Sequence, residues 1–293
     1  MTSQHEAGQQ AAGGKEAVVE LDDDDLWATF DRRHAGRDRR EQRVHQRFKD
    51  MQQEGHPAPR RVRSLSRDEI VKAAIKVADA EGAQAISMRR IARELHAGAM
   101  SLYWHVSSKD ELLDLMLDGV EAERQFPEVT GDWRTDLHAM AWAQRTALRE
   151  HEWLMDFIGG RPPLGPNTMR NLERSLAVID QLGLDTVTAL NVLGTLATYV
   201  IGVVLREFRE MGVERRDAEV IAELGEEKLN SWVSEQTRKI KATGQFPHFI
   251  KMWDEGIDPD SPETRDQRFE FGLQCLLDGI ATQVIAKAAV AKE

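Results

Sequence analysis

The sequence predicts an all-α protein, with a small unit of short helices followed by a larger helical domain. Ala, Leu, Glu and Arg are abundant and aromatic residues make up only 6% of the 293 residues, a balance that favours helices. From residue 66 onward, apolar residues recur at three- and four-residue spacing behind helix-capping sequences,. No segment alternates polar and apolar residues over several positions, so no strand is predicted.

Short helices with clear boundaries open the helical region. A capping box at residues 66–69 starts the first helix, which ends at Gly82,. Ser87 caps a second helix, and residues 96–98, His-Ala-Gly, predict a turn,. A third helix of two turns then holds AMSLYWHV, and a second capping box at residues 108–111 opens a fourth helix,.

The rest of the chain is predicted to be helical as well. The expected helices are 132–150, 152–158, 166–182, 185–209, 217–242 and 262–287. Upstream, residues 1–20 have the composition of a disordered segment, and residues 24–54 read as one or two charged helices,. Pro57 and Pro59 end them. The predicted divisions are therefore an N-terminal extension at 1–59, a small domain at 60–122 and a larger domain at 123–293.

The single cysteine and the polar N-terminus indicate a cytoplasmic protein. Cys275 lies in an apolar helix, where a buried thiol is expected, and one cysteine excludes an intramolecular disulfide,. MTSQHEAGQQAAGG lacks the apolar stretch of an export signal,. Residues 187–205 carry no charge and approach membrane-spanning length,. Polar residues and glycines interrupt them, so a helix buried on nearly all sides is expected, with a membrane span as the alternative.

Charge is distributed unevenly along the chain. The formal net charge is −11, yet residues 60–109 hold ten Lys or Arg against five Asp or Glu, a balance of +5, which leaves −16 for the remainder. A basic module on an acidic body fits nucleic-acid binding, because the local field meets the phosphate backbone.

The small domain has the arrangement of a helix-turn-helix DNA-binding domain. A capped second helix, a short turn with glycine and a short third helix follow one another,. In AMSLYWHV, Leu102 and Val106 are four residues apart and are expected to face the core. The other residues of this helix are then available to DNA, namely Ala99, Met100, Ser101, Tyr103, Trp104 and His105. Packing at the edge of the domain is the alternative for Tyr103 and Trp104.

SMRRIARELHAGAMSLYWHVSSKDELLDLM resembles the TetR family of bacterial transcriptional regulators, and DW...L......R.AL..H resembles its tetracycline-repressor-like C-terminal domain. The resemblance spans residues 66–287. It implies an all-helical homodimer that binds double-stranded operator DNA and leaves it when a small molecule binds. Transferred by position, it implies base contacts from Arg89, Ala99, Met100 and Ser101, and phosphate contacts from Tyr103, His105 and Lys109.

Trp104 is expected to support the recognition helix or to reach the DNA backbone. Arg60, Arg61 and Arg63 are expected to act as an arm that enters the minor groove. The charged segment upstream of them reads either as a loosely docked helix and linker or as a source of further contacts beside the operator.

The sequence departs from the tetracycline repressor at two metal-linked positions. Phe157 stands where that repressor has a histidine, and Arg206 where it has a glutamate. A magnesium-chelated effector is therefore not expected, and neither a metal nor another cofactor is predicted. The candidate residues for a larger, mostly apolar ligand are Trp142, Trp153, Phe157, Asn191, Thr195, Tyr199, Trp232, Phe246 and Trp253,. For each of them, packing within the core is the alternative.

Two helices are predicted to pair with those of a second copy. Residues 187–205 form the first of these helices. The second, within 262–287, carries an apolar stripe that a single domain is not expected to cover. The stripe consists of Phe269, Leu273, Leu276, Leu277, Ile280 and Val284,. A twofold dimer implies a palindromic operator. Three alternatives to a repressor remain at this stage. They are an activator of the same fold, an interaction protein whose helix-turn-helix no longer binds DNA, and a helical enzyme, although no catalytic motif is present.

Overall fold

The protein is helical, without strands, over the residues that the structure describes. The structure is a computed structural model that describes residues 65–124, 126, 128–158 and 165–282. These residues form α1 Arg67–Glu81, α2 Met88–Glu94, α3 Ala99–Leu102, α4 Lys109–Glu123, α5 Trp133–Glu150, α6 Pro166–Asp180, α7 Thr186–Leu224, α8 Glu226–Ala242, α9 Pro247–Asp254 and α10 Arg265–Ile280. Three 3₁₀ turns, Ala83–Ala85, Glu152–Phe157 and Pro262–Thr264, complete the described secondary structure. The helices predicted before residue 60 lie outside it.

Helices α1 to α4 form a unit with its own core, here called the four-helix unit. Each helix contributes at least one side chain that is fully buried or nearly so: Ile70, Ala74, Val77, Ile91, Leu102, Leu112 and Met116. The predicted capping box at the start of α1 is confirmed, because Glu69 N donates to Ser66 Oγ over 3.1 Å and Ser66 N donates to Glu69 Oε2 over 3.0 Å. Such a cap stabilises a helix by about 1 kcal/mol.

Only one of the two hydrogen bonds of the second predicted capping box is present. Ser108 Oγ accepts the Glu111 N–H over 3.0 Å, as predicted. The Glu111 carboxylate does not return to the Ser108 backbone; it accepts from Ser107 N and from Arg67, over 2.5 Å and 2.6 Å. Glu111 is buried, and a buried carboxylate needs a charged partner more than a second cap. The arginine at the start of α1 provides that partner.

The larger group of helices, α5 to α10, is here called the body. Its core lies between α5, α6, α7 and α10, and its buried residues are Leu137, Met140, Ala141, Val178, Ile179, Ala189, Val192, Leu196, Val200, Val204, Phe269, Leu273, Leu277 and Ile280. Helix α7 packs against α5, α6, α8 and α10. It is also the one described helix long and apolar enough to span a membrane by length and composition.

The boundaries of α7 differ from the prediction. Two helices were expected, over 185–209 and 217–242, but one helix of 39 residues continues to Leu224. Gly212 does not interrupt it, because one glycine inside a helix costs only about 1 kcal/mol. The chain breaks instead at Gly225, whose φ of +84° favours glycine,. Helix α9 was not predicted, although Pro247 at its first turn is a typical start signal,.

The buried carboxylate of Asp118 joins α4 to the start of α6. Asp118 is 2% exposed and accepts four hydrogen bonds, from the backbone N–H and the side chain of both Asn167 and Thr168, over 2.8–3.2 Å. A negative charge is favourable at a helix N-terminus. The approach is so close that a Cβ on Gly165 would overlap the Asp118 side chain. The four-helix unit is thereby fixed to the body.

We expect Gly165→Ala to lower the free energy of unfolding by about 1–3 kcal/mol, as overpacking does, because the added methyl group would push Asp118 away from its donors. The measurement is urea denaturation followed by circular dichroism. Gly212→Ala is the matched control, since a Cβ there meets no atom within 4 Å and should leave stability equal or slightly higher. Equal stability of the two variants would contradict the tight fit at Asp118.

Candidate nucleic-acid interface and effector site

Helices α2 and α3 and the turn between them form the predicted helix-turn-helix. Ser87 Oγ accepts the Arg90 N–H over 3.2 Å and caps α2, while Ile91 and Ala92 are buried on its inner side. The turn closes through a hydrogen bond of 2.8 Å from Ala97 N to Ala92 O. His96, with φ of +51°, is the left-handed residue of this turn. Gly98, the glycine of the turn, has an ordinary φ of −75°.

The recognition segment, residues 99–106, is less helical than predicted. Helix α3 ends at Leu102, and the next residues form a turn in which His105 N and Val106 N both donate to Leu102 O, over 2.9 and 3.0 Å. The predicted facing is confirmed, because Leu102 and Val106 are 0% and 1% exposed. These two anchors hold a segment of eight residues against the core.

The outer side of this segment lies open, beside the exposed Arg89 of α2. Met100 and Trp104 are 53% and 44% exposed. His105 and Lys109 are also exposed, whereas Ala99, Ser101 and Tyr103 are half-buried. Helices α2 and α3, which hold Arg89 and Ala99 to Leu102, pack against each other, and Lys109 begins α4. Arg60, Arg61 and Arg63 lie outside the described residues.

Arg90 does not belong to this open surface. Its guanidinium pairs with Glu81 over 2.6 Å and with Glu94 over 3.1 Å. Glu94 also pairs with Lys76 over 2.9 Å. Arg90 therefore joins α1 to α2, while Arg89 and Arg93 remain exposed.

Two of the predicted ligand-binding residues meet at one buried phenylalanine of the body. Trp142 approaches Phe269 edge-on at 4.8 Å between ring centroids, and Tyr199 stacks on it at 5.6 Å. The Tyr199 hydroxyl donates to Phe269 O over 2.6 Å. Burial raises the pKa of Tyr199 to about 12, so the hydroxyl stays protonated at neutral pH. Sequence reasoning assigned Phe269 to a dimer surface and missed its place here.

Charged groups surround these rings, and sequence reasoning missed them too. Arg145 is 2% exposed and lies 4.7 Å from the Phe269 ring centroid and 5.0 Å from that of Trp142. Its guanidinium pairs with buried Glu207 and with Asp266, over 2.8 Å each. The sequence signal that could have indicated this arrangement is the position of Arg145, three residues after Trp142 on the core-facing side of α5. The aromatic group is thus held by ion pairs.

Glu270 orients the indole of Trp142, whose Nε1 donates to Glu270 Oε2 over 3.0 Å. His138 Nε2 lies 2.9 Å from the same oxygen. Burial acts to raise the pKa of Glu270, but hydrogen bonds from Gln274, His138 and Trp142 outweigh it and lower the pKa below its usual value. The carboxylate therefore stays charged at neutral pH and keeps its three donors.

The other candidate ligand residues lie apart from this group. Trp153 is buried, with Phe157 at 6.0 Å between ring centroids, where the body meets α1. Asn191 and Thr195 line an open groove along α7. The candidates Trp232 of α8, Phe246 of the loop before α9 and Trp253 of α9 are all exposed. Within one chain, the nine candidates do not form a single pocket over the described residues.

The cavities beside the described helices of the body are lined by both apolar and charged side chains. One of about 280 Å³ lies between α4 and α5, with Glu123, Arg124 and His151 beside apolar residues. Another of about 200 Å³ lies between α7 and α10, where Tyr199 meets the charged side chains of Arg206, Glu207, Glu210, Arg265 and Arg268. No group of three or more His, Cys, Asp or Glu in the described ranges is placed to hold a metal ion.

Three predictions about which residues are buried within one chain were wrong. The apolar stripe of α10 from Phe269 to Ile280 faces the core of its own chain, because α5 and α7 cover it. The opposite face is exposed instead, with Phe271 at 74% and Cys275, expected to be a buried thiol, at the surface. Helix α7 is not buried on nearly all sides either, since Val187 and Leu190 are 68% and 47% exposed.

These features define a DNA-binding transcriptional regulator. They are the capped helix α2, the tight turn after it, the recognition segment with its open outer side, and the larger helical body that carries them. Residues 70–116 match the family of bacterial regulatory proteins named tetR, and residues 126–284 match the tetracyclin repressor-like C-terminal domain. The chain belongs to the TetR family of transcriptional regulators. It is therefore a regulator and not an enzyme.

Similar proteins include repressors and ligand-bound structures. The HTH-type transcriptional repressor DrrR1 of Streptomyces coeruleorubidus is 36% identical over 223 residues, 75% of this chain and 79% of the relative. Apo ActR from Streptomyces coelicolor has a TM-score of 0.60 at 30% identity, covering 78% of this chain and 100% of ActR. ActR in complex with actinorhodin has a TM-score of 0.57 at 31% identity, and the match covers 76% of this chain and 98% of ActR. The likeness extends well beyond the C-terminal family segment.

Proposed function

We propose that this protein is a cytoplasmic, ligand-responsive repressor that binds a palindromic operator as a homodimer and leaves it when a small, largely apolar effector binds. The observation that carries the proposal is the recognition segment, anchored by Leu102 and Val106 and open on the side of Met100, Trp104 and His105. A helix packed in this way presents one face to a groove.

Arg89 is the candidate for reading a guanine, because its planar fork matches guanine O6 and N7. It is exposed, whereas the neighbouring Arg90 is held by two carboxylates. Met100 and Ser101, with Ala99, supply further contacts to base edges. Tyr103, His105 and Lys109 position the domain on phosphates, a role that carries little sequence information.

Homodimerisation would cover apolar faces that the body leaves open. Helix α7 exposes Val187, Leu190 and Leu205, and α10 exposes Phe271. A Cβ added at Gly194 or Gly202 of α7 would meet no atom of this chain within 4 Å, so a second helix could approach closely there. Large exposed apolar patches typically mark interfaces. Pairing both helices with their copies gives a twofold dimer and a palindromic operator.

The effector is proposed to bind the body without a metal ion. Trp142, Tyr199 and Phe269 supply apolar surface, and Tyr199 lines a cavity between α7 and α10. At the two metal-linked positions, Phe157 cannot bind Mg²⁺, and Arg206 pairs with Glu210 and Asp260 over 2.8 and 2.5 Å. The ActR complex with actinorhodin supports a small-molecule effector in a related body.

An activator of the same fold is the alternative. The polarity of a regulator depends on where its operator lies relative to the promoter, and the protein surface does not set that position. The relative DrrR1, which is named a repressor, favours repression. A reporter gene placed behind the operator would separate the two functions.

We expect Arg89→Ala to weaken binding to DNA selected from a random pool by the wild-type protein, by about 1–3 kcal/mol, and to relax the preference at one base pair. Fluorescence anisotropy would give the affinities, and repeated selection would give the preference. Arg216→Ala, at an exposed arginine of α7, is the matched control and should bind as the wild type does. Unchanged affinity and preference in Arg89→Ala would exclude the proposed base contact.

We expect Phe271→Glu to convert the dimer into a monomer, because it places a charge in the proposed interface while Phe271 is 74% exposed in the single chain and so adds little to its stability. Light scattering after gel filtration measures the mass. Ile257→Glu, at another exposed apolar residue, should leave the dimer intact. A dimer that persists in Phe271→Glu would argue against this face.

We expect an apolar compound to release the selected DNA without any metal ion, and Trp142→Ala to weaken that release about tenfold, by loss of buried aromatic contact. The competition experiment would use actinorhodin and a panel of apolar compounds, with tetracycline plus Mg²⁺ for comparison, and would read DNA-bound protein by anisotropy. Release that occurs only with Mg²⁺ would contradict the proposed effector class.

A further inference from the structure

One carboxylate oxygen of the four-helix unit accepts hydrogen bonds from two side chains of the body. His151 Nδ1 and Trp153 Nε1 both donate to Asp79 Oδ1, each over 2.8 Å. Asp79 lies near the end of α1, and the two donors follow directly after α5. His151 and Trp153 are only 6% and 3% exposed. We refer to these three residues as the Asp79 joint.

The backbone of the body brings both donors to the same side. His151 ends α5 with φ −124° and ψ 70°, outside the helical region, and the 3₁₀ turn Glu152–Phe157 begins after it. This turn packs against α1 and the turn Ala83–Ala85. The His151 and Trp153 rings lie 6.2 Å apart in an edge-on arrangement. The two rings pack on each other, and both N–H groups point to the same Asp79 oxygen.

The imidazole also reaches α4. His151 Nε2 lies 3.4 Å from Glu123 Oε2, at the last residue of that helix. His151 and Glu123 both line the cavity of about 280 Å³ between α4 and α5. One side chain of the body thus contacts two helices of the four-helix unit and borders a space in which a ligand could bind.

Asp79 is well suited to hold a domain in one orientation. If α1 moved by an ångström or two, two buried N–H groups would lose their acceptor, and an unsatisfied buried donor is costly. The geometry points to Asp79 as a positioning residue for DNA recognition. It fixes α1, and with it the recognition segment, relative to the body. In the proposed dimer it thereby sets the separation of the two recognition segments, so the inference rests on the proposed function.

The first test measures affinity for one and for two half-sites of the selected DNA. Trp153→Phe and His151→Leu each remove one donor to Asp79, and we expect each to weaken two-half-site binding about tenfold, the size of one hydrogen bond to a charged acceptor. Binding to a single half-site should not change, and the preference for the natural spacing should weaken. His151→Asn, whose amide N–H can take the place of Nδ1–H, should restore the wild-type values.

His248→Leu is the control, because His248 is an exposed histidine of α9, and its loss should leave both affinities unchanged. Equal losses for one and two half-sites would reveal a merely structural role and overturn the inference. An unchanged two-half-site affinity in Trp153→Phe and His151→Leu would overturn it as well.

A second test needs no DNA. Spin labels at Gln84→Cys and Glu173→Cys, both exposed positions, in a Cys275→Ser chain diluted with unlabelled protein, report the distance between the four-helix unit and the body. The distribution should broaden in Trp153→Phe and stay narrow in His151→Asn. An unchanged distance distribution in Trp153→Phe would overturn the inference that Asp79 holds the four-helix unit in place. If the wild-type protein selects no DNA, the proposed function fails, and this measurement still decides whether Asp79 holds the domain.

Discussion

The arrangement of the described chain depends on carboxylates along α4, and above all on buried Asp118. Taking a charge out of water is costly unless donors replace the solvent, and here four donors at the start of α6 do so. Near the beginning of α4, Glu111 accepts from Arg67 of α1. At its end, Glu123 faces His151 of the body. A single helix is thus tied by charge to both groups of helices.

A buried ion pair organises the body in a similar way. Arg145 of α5 pairs with Glu207 of α7 while its guanidinium lies against Phe269 of α10. Such a pair adds little net stability, because desolvation offsets the attraction. Removing either partner would strand a charge in the core, so the pair disfavours other packings of these three helices. It accounts for the inward position of Phe269 better than hydrophobicity alone, since Phe271 is equally apolar and faces outward.

Local signals in the sequence predicted local structure well. The Ser66 and Ser87 caps and the burial of Leu102 and Val106 follow from spacing and capping chemistry within a few residues. Predictions failed where a distant partner decides the outcome. The apolar stripe of α10 could have met a second copy or its own domain, and only the packing of α5 and α7 decides that it faces the core of its own chain. The carboxylate of Glu111 turns to Arg67, which lies 44 residues away.

The candidate DNA-binding residues from Arg89 to Lys109 lie within 21 consecutive residues, so local spacing was enough to predict the burial of Leu102 and Val106 among them. Their contacts with DNA stay a prediction. The candidate effector residues come from helices far apart in sequence, and their assembly could not be predicted. A recognition segment of eight residues also has little surface with which to orient itself on DNA. Its orientation must therefore be supplied by the helices behind it. Asp118 joins α4 to the body, and Asp79 joins α1 to it. In the proposed function, a ligand that shifts the body by a small distance would act on the recognition segment through both.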